Sequence, residues 1–219
     1  FIKIYQKTLI YQIIMKKLII LTICFLGLSP LLKAQMLNLN YQISVPMNQV
    51  KDFTDKASFR GFDIEYHHFL GEQFSVGATI GWDVYYKDKN NITSNFRFKG
   101  NDNMYTITGN QYRYINFVPM LAVGRYYFTD KSAGVRPYIG VGVGTSWTEK
   151  RLEVGQFSST ISRWQFAMAP EVGMYIPVAD QFAFNLGARY YYATKAAHGR
   201  VPEIQQFSFN FGIILMSIN

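Results

Sequence analysis

Phe74-Ser75-Val76-Gly77-Ala78-Thr79-Ile80-Gly81-Trp82-Asp83-Val84 alternates without a break. Successive side chains of a strand point to opposite faces. Phe74, Val76, Ala78, Ile80, Trp82 and Val84 therefore share one face, with Ser75, Gly77, Thr79, Gly81 and Asp83 on the other. A water-soluble sandwich would need the large set to be buried against a second sheet. Here the opposite set is small or polar, which suits the crowded interior of a closed barrel whose large residues face lipid.

The pattern recurs along the chain. Leu37 to Val45, Pro137 to Trp147, Trp164 to Met174 and Phe207 to Leu215 each alternate large apolar residues with Gly, Ser, Asn, Gln or a single charge. The predicted strands run 37–46, 60–70, 74–86, 112–128, 136–148, 162–177, 182–194 and 205–217. In the fourth, Asn116 and Arg125 are both expected to point inward despite opposite parity, which calls for a bulge near Pro119. The segments at Gly71–Gln73, Thr129–Val135 and Ala179–Gln181 are short. Those at Met47–Ser58, Lys87–Gly109, Glu149–Thr160 and Lys195–Glu203 are longer and polar. Short turns at one end and long loops at the other are the habit of outer-membrane barrels. The expected fold is all-β: an eight-stranded antiparallel up-and-down transmembrane β-barrel.

The start of the chain reads differently. Lys16-Lys17 precede the apolar run Leu18–Leu32, and Leu32-Lys33-Ala34 follows, which marks residues 15–34 as an export signal cleaved after Ala34. A spanning helix needs about 20 apolar residues, more than this run offers. Residues 1–14 are read as an upstream extension outside the fold, and 35–219 as the barrel domain. Without Lys3, Lys7, Lys16, Lys17 and Lys33, the 22 basic residues fall to 17 against 14 acidic ones, so a formal charge of +8 becomes +3. The basicity belongs mostly to the leader, and no nucleic-acid partner is expected. The single cysteine, Cys24, sits in the signal, which leaves the barrel without disulfides or thiol chemistry.

Tyr85-Tyr86, Tyr112, Tyr114, Tyr126-Tyr127-Phe128, Trp147, Trp164 and Tyr190-Tyr191-Tyr192 cluster near strand ends, as interfacial girdles do. With Phe59-Arg60-Gly61-Phe62-Asp63-Ile64-Glu65-Tyr66 and Arg136-Pro137-Tyr138-Ile139-Gly140-Val141-Gly142-Val143-Gly144, the segment from Gln35 to Asn219 resembles the small outer-membrane β-barrel proteins, the OmpA transmembrane-domain and OmpX-like group. The resemblance implies the outer membrane of a Gram-negative bacterium, contact with its lipid and lipopolysaccharide, a monomeric state, and delivery by the barrel-insertion machinery. The last strand carries Phe207-x-Phe209-x-Phe211 but closes on Ser217-Ile218-Asn219, where that group usually ends on an aromatic residue.

By parity Asp63, Glu65, His67, Asp83, Arg125, Glu171 and Arg189 point into the lumen. Charges in a narrow barrel must be paired, since an unpaired buried charge is costly. Asp63, Glu65, Asp83, Arg125, Glu171 and Arg189 are thus expected to form a structural ion-pair network, and a turn centred on Asp180 sets Glu171 opposite Arg189. No catalytic, cofactor or metal residues are assigned. His67 and His68 are strand neighbours and point to opposite faces, and His198 has no adjacent serine. Gly140, Gly142 and Gly144 follow the strand period and precede no helix, unlike a phosphate loop. Lys87, Lys89, Arg97 and Lys99 could meet lipopolysaccharide phosphates or a surface ligand. The expected role is a non-enzymatic barrel serving envelope structure or surface-loop interactions. The alternatives are an outer-membrane lipid-modifying enzyme and a narrow channel for a small solute.

Overall fold

In a computed structural model describing residues 36–97, 104–130, 134–155, 157–196 and 201–216, alternation resolves into eight strands. They are β1 (Met36–Pro46), β2 (Ser58–Phe69), β3 (Phe74–Arg97), β4 (Met104–Tyr127), β5 (Arg136–Val154), β6 (Phe157–Ala179), β7 (Phe182–Ala193) and β8 (Ile204–Met216). One short helix, α1 (Asn48–Phe53), lies between β1 and β2. The expected leader with Cys24, and His198, fall outside the described residues. No helix among those described is long and apolar enough to cross a membrane.

Each strand pairs antiparallel with the next, and β1 pairs with β8 from Met36↔Met216 to Pro46↔Gln206, which closes the barrel. Closure leaves no open edge within the apolar band, where an unpaired backbone group would find no water. The outer wall carries the large set: Phe74, Ile80, Trp82, Val141, Phe166, Val172, Phe184, Phe209 and Phe211 are all exposed. Their neighbours Ser75, Thr79, Asp83, Glu171, Asn185, Ser208 and Asn210 are buried in the lumen. This inside-out distribution is that of a lipid-facing barrel.

Several expectations are corrected. β3 and β4 each run for 24 residues and pair out to Arg97↔Met104, so most of the expected loop Lys87–Gly109 is strand. β5 and β6 likewise pair out to Val154↔Phe157, across the expected loop Glu149–Thr160, and turn at Gly155, whose φ of 58° suits glycine. At about 3.3 Å per residue, a 24-residue strand is far longer than the roughly 9–11 residues that cross a bilayer. The four middle strands thus continue beyond the membrane as a projecting sheet.

No bulge occurs at Pro119. The β3–β4 and β4–β5 registers run straight past it, with Ile80↔Met120 and Asp83↔Phe117 on one side and Pro119↔Ser146 on the other. Asn116 accordingly faces outward and donates to Glu149 at 3.2 Å, while Ile115, Phe117, Leu121 and Val123 point inward with Arg125. The lumen is therefore not uniformly polar. Tyr85, Tyr127 and Tyr191 are also fully buried inside it, which leaves their neighbours Tyr86, Tyr126, Tyr190 and Tyr192 for the girdles.

The interior is stacked in layers. At the end bearing the short turns, Met36, Tyr127, Tyr138, Tyr175, Ala183 and Ile214 form one apolar cluster. Polar and charged residues fill the middle. At the other end Val50 of α1 packs with Tyr85, Ile115, Phe117, Leu121, Val123, Ala167, Tyr191 and Ile204. α1 is thus a plug in the mouth. Its entry is fixed by Met47 N–H, which donates to Gln205 O at 2.8 Å, and by Asn48, which holds a positive φ of 45° that asparagine tolerates.

Candidate functional site

Four adjacent strands in register assemble the middle layer. Arg125 of β4 lies opposite Gly140 of β5, Gly140 opposite Glu171 of β6, and Glu171 opposite Arg189 of β7. Gly140 is the gap through which Arg125 and Glu171 meet. A Cβ there would sit 2.7 Å from Glu171 Oε1 and 3.0 Å from Arg125 Cγ. Arg125 donates to Glu171 through Nε, and through Nη2 at 3.2 Å. Arg189 Nε donates to Glu171 Oε2 at 2.8 Å.

Across the lumen β2 supplies the other carboxylates. Arg125 Nη2 donates to Glu65 at 2.6 Å, Arg189 Nη2 also donates to Glu65, and Arg189 Nη1 reaches Asp63 at 3.4 Å. Neutral donors complete the shell. Asn38 bonds Glu65 at 3.0 Å, while Asn40 and Gln42 bond Asp63 at 2.6 and 2.5 Å. The structure thus brings Asp63, Glu65, Arg125, Glu171 and Arg189 into one cluster of three carboxylates and two guanidiniums. Asp83 lies apart, held by Ser44 and Gln206, each at 2.8 Å. His67 is buried beside Glu65, its Nε2 3.6 Å from the carboxylate, whereas His68 is exposed.

Arrangements of this kind fix geometry. Each charge in the cluster is already engaged, and two guanidiniums bridge three strands of one wall to β2 on the other. Among the described residues, no group of three or more His, Cys, Asp or Glu is placed to hold a metal. The end with the short turns is filled by a separate layer. Arg136 donates to Glu72 O at 2.6 Å, and its guanidinium lies 4.5 Å from the Tyr127 ring centre and 5.2 Å from that of Phe69.

At the opposite mouth a second constellation forms, for which composition gave no sign. Phe53 of α1 lies beneath Arg113 Cζ at 5.1 Å and Lys150 Nζ at 4.3 Å. Half-burial there, with the neighbouring Arg113 charge, pushes the Lys150 ammonium below its ordinary pKa. Lys87 is paired with Asp55, whose carboxyl the hydrogen bond and charge of Lys87 hold below the usual range, and Lys56 pairs with Asp88 at 3.3 Å. The side chain of Arg97, together with Lys99, lies outside the description. A parity count along β4 and β5 would have placed Arg113 and Lys150 on one face. The six residues of α1 carry no comparable signal.

The family described as outer membrane protein beta-barrel domain matches residues 21–214. This chain belongs to that family. Its place is accordingly the outer membrane, and the end with the short turns is the periplasmic one. Comparison with curated proteins gives no match. Among solved structures the family barrel is similar to Neisserial surface protein A, at 15% identity over 83% of this chain and 95% of that one, with a TM-score of 0.49. It is also similar to the outer membrane protein OprG from Pseudomonas aeruginosa, at 12% identity over 84% and 96%, with a TM-score of 0.49. A third likeness is to Ail, the attachment invasion locus protein of Yersinia pestis, at 10% identity over 82% and 94%, with a TM-score of 0.46.

Proposed function

We propose that this barrel is a non-enzymatic interaction protein of the outer membrane, with a lumen that serves as its rigid core and a projecting β3–β6 sheet as its working part. The observation that carries this reading is the contrast between the two regions. Inside, Glu65, Arg125, Glu171 and Arg189 satisfy one another, with an apolar cluster above and below. An eight-stranded barrel is just wide enough for side chains to fill. Outside, β3 and β4 extend to Arg97 and Met104 although β1, β2, β7 and β8 are 11 to 13 residues long. Strands carried past the bilayer add nothing to spanning it, and they present backbone edges and side chains to the cell's surroundings.

Two measurements test this. The purified protein in planar bilayers should give no steady conductance, and open-state currents would favour a channel instead. Replacing residues 91–108 by a two-residue Asn-Gly turn should leave the heat-modifiable folded band and thermal stability unchanged, while abolishing adhesion of expressing cells to host or abiotic surfaces. Unchanged adhesion would refute the role given to the sheet.

A further inference from the structure

The projecting sheet sorts its charges by face. Asp88, Glu149, Arg151 and Glu153 stand on the lipid-side parity of β3 and β5, where Arg151 pairs with Glu153. On the parity facing the barrel axis, β3 contributes Lys87 and, one pair further out opposite Gln111, Lys89, while β4, β5 and β6 contribute Arg113, Lys150 and Arg163. Lys87 lies directly opposite Arg113. Lys150 is opposite Ile115, two residues from Arg113, and Arg163 is opposite Thr148, two residues from Lys150. Diagonal neighbours of this kind are roughly 7–8 Å apart. Lys87, Arg113, Lys150 and Arg163 thus form a row across the sheet, above the α1 plug.

Lys87 is engaged by Asp55. The other three have no carboxylate partner among the described residues. Arg113 spends Nε on Gln111 at 2.9 Å and Nη1 on Phe53 O at 3.4 Å, and Arg163 spends Nη1 on Ser162 O at 2.7 Å. Lys150 rests on the Phe53 ring. Each guanidinium keeps further N–H donors, and the ammonium keeps its three. Like charges held this close repel one another, and an anion lying along the row would relieve that repulsion.

We infer that the row Arg113–Lys150–Arg163 binds a soluble polyanionic glycan, one bearing sulfate or phosphate groups at intervals along an extended chain. The spacing fits successive anionic groups better than one small ion. The face also decides the source. Phosphates of the surrounding lipid lie against the outward parity, whereas this row looks over the plugged mouth. The inference rests on the reading of the sheet as an interaction surface and names its ligand class.

The test is titration of the intact barrel, in zwitterionic detergent, with short dextran sulfate and with uncharged dextran. Dextran sulfate should bind, more weakly as salt rises, and dextran should not. Arg113→Gln/Lys150→Gln/Arg163→Gln should lose roughly tenfold or more in affinity. Arg60→Gln/Arg151→Gln, which removes outward-facing cations, should retain it. The heat-modifiable band verifies folding of each variant. Undiminished binding by the triple variant, or equal loss in the outward pair, overturns the assignment. So does competition by vesicles containing lipid A but not by vesicles lacking it, which would assign the row to membrane phosphates. Loss of binding with cell adhesion intact sinks the proposed function alone. Adhesion lost on truncation, with no dextran sulfate binding, sinks this inference alone.

Discussion

At the scale of single residues, the middle layer obeys a strict rule: a buried charge is tolerable while its partners stay. Glu171 accepts from both Arg125 and Arg189, so Glu171→Gln leaves two guanidiniums to share Glu65 and Asp63. Removing one member of a buried pair typically costs about 3–5 kcal/mol. A urea midpoint measured on the folded band should drop accordingly, and much further than for Asp83→Asn, since Asp83 has only neutral donors. Equal loss in the two variants would contradict the network. Some of this was legible in the sequence. Counting back from the turn at Asp180 sets Glu171 against Arg189, because a hairpin's register follows from its turn. The route from Arg125 to Glu171 was not legible, since it depends on Gly140 being an empty position between two strands whose register no local pattern reveals.

Elements were readable where the two strand faces meet different solvents. Between Phe74 and Val84 lipid on one side and a crowded lumen on the other enforce alternation, and the strand was found there. Past Lys87 both faces meet water, so nothing sorts residues by polarity and the sequence resembles a loop. β4 misled for a different reason. Its inward face carries Ile115, Phe117, Leu121 and Val123, because the plug end of the lumen is apolar, and a lone Asn116 suggested the opposite parity. The link between Lys87 and Asp55 ties the β1–β2 segment to β3, and here a pH dependence follows. The Asp55 pKa is lowered in the folded protein, so its contribution is full above the unfolded value and lost as pH falls through the folded one. A carboxyl-carbon NMR titration should give Asp55 a midpoint below the usual aspartate range, restored upward in Lys87→Gln. A normal midpoint in the parent would mean that the tie does not form in solution.

Considered whole, the lumen is filled at three levels: by the Arg136–aromatic layer, by the ion cluster and by α1. Val50→Asp places a carboxylate in the outer apolar cluster and should expel α1 from the mouth. Because two further layers remain, bilayer conductance should stay at the baseline while protease cuts within Met47–Lys56 become faster. Steady current from this single change would mean that α1 alone closes the lumen. A lumen filled at several levels fits the function proposed above, in which the interior serves as a rigid core. The β1–β8 seam has a practical corollary. It brings Met36 and Met216 side by side at the periplasmic rim, while the pairs Arg97↔Met104 and Val154↔Phe157 end the sheet at its far tip. A reporter fused before β1 or after β8 would stay inside the envelope, and an epitope grafted at Gly155 would be displayed to antibodies on living cells. The fold is a ready-made display scaffold with its two addresses on opposite sides of the membrane.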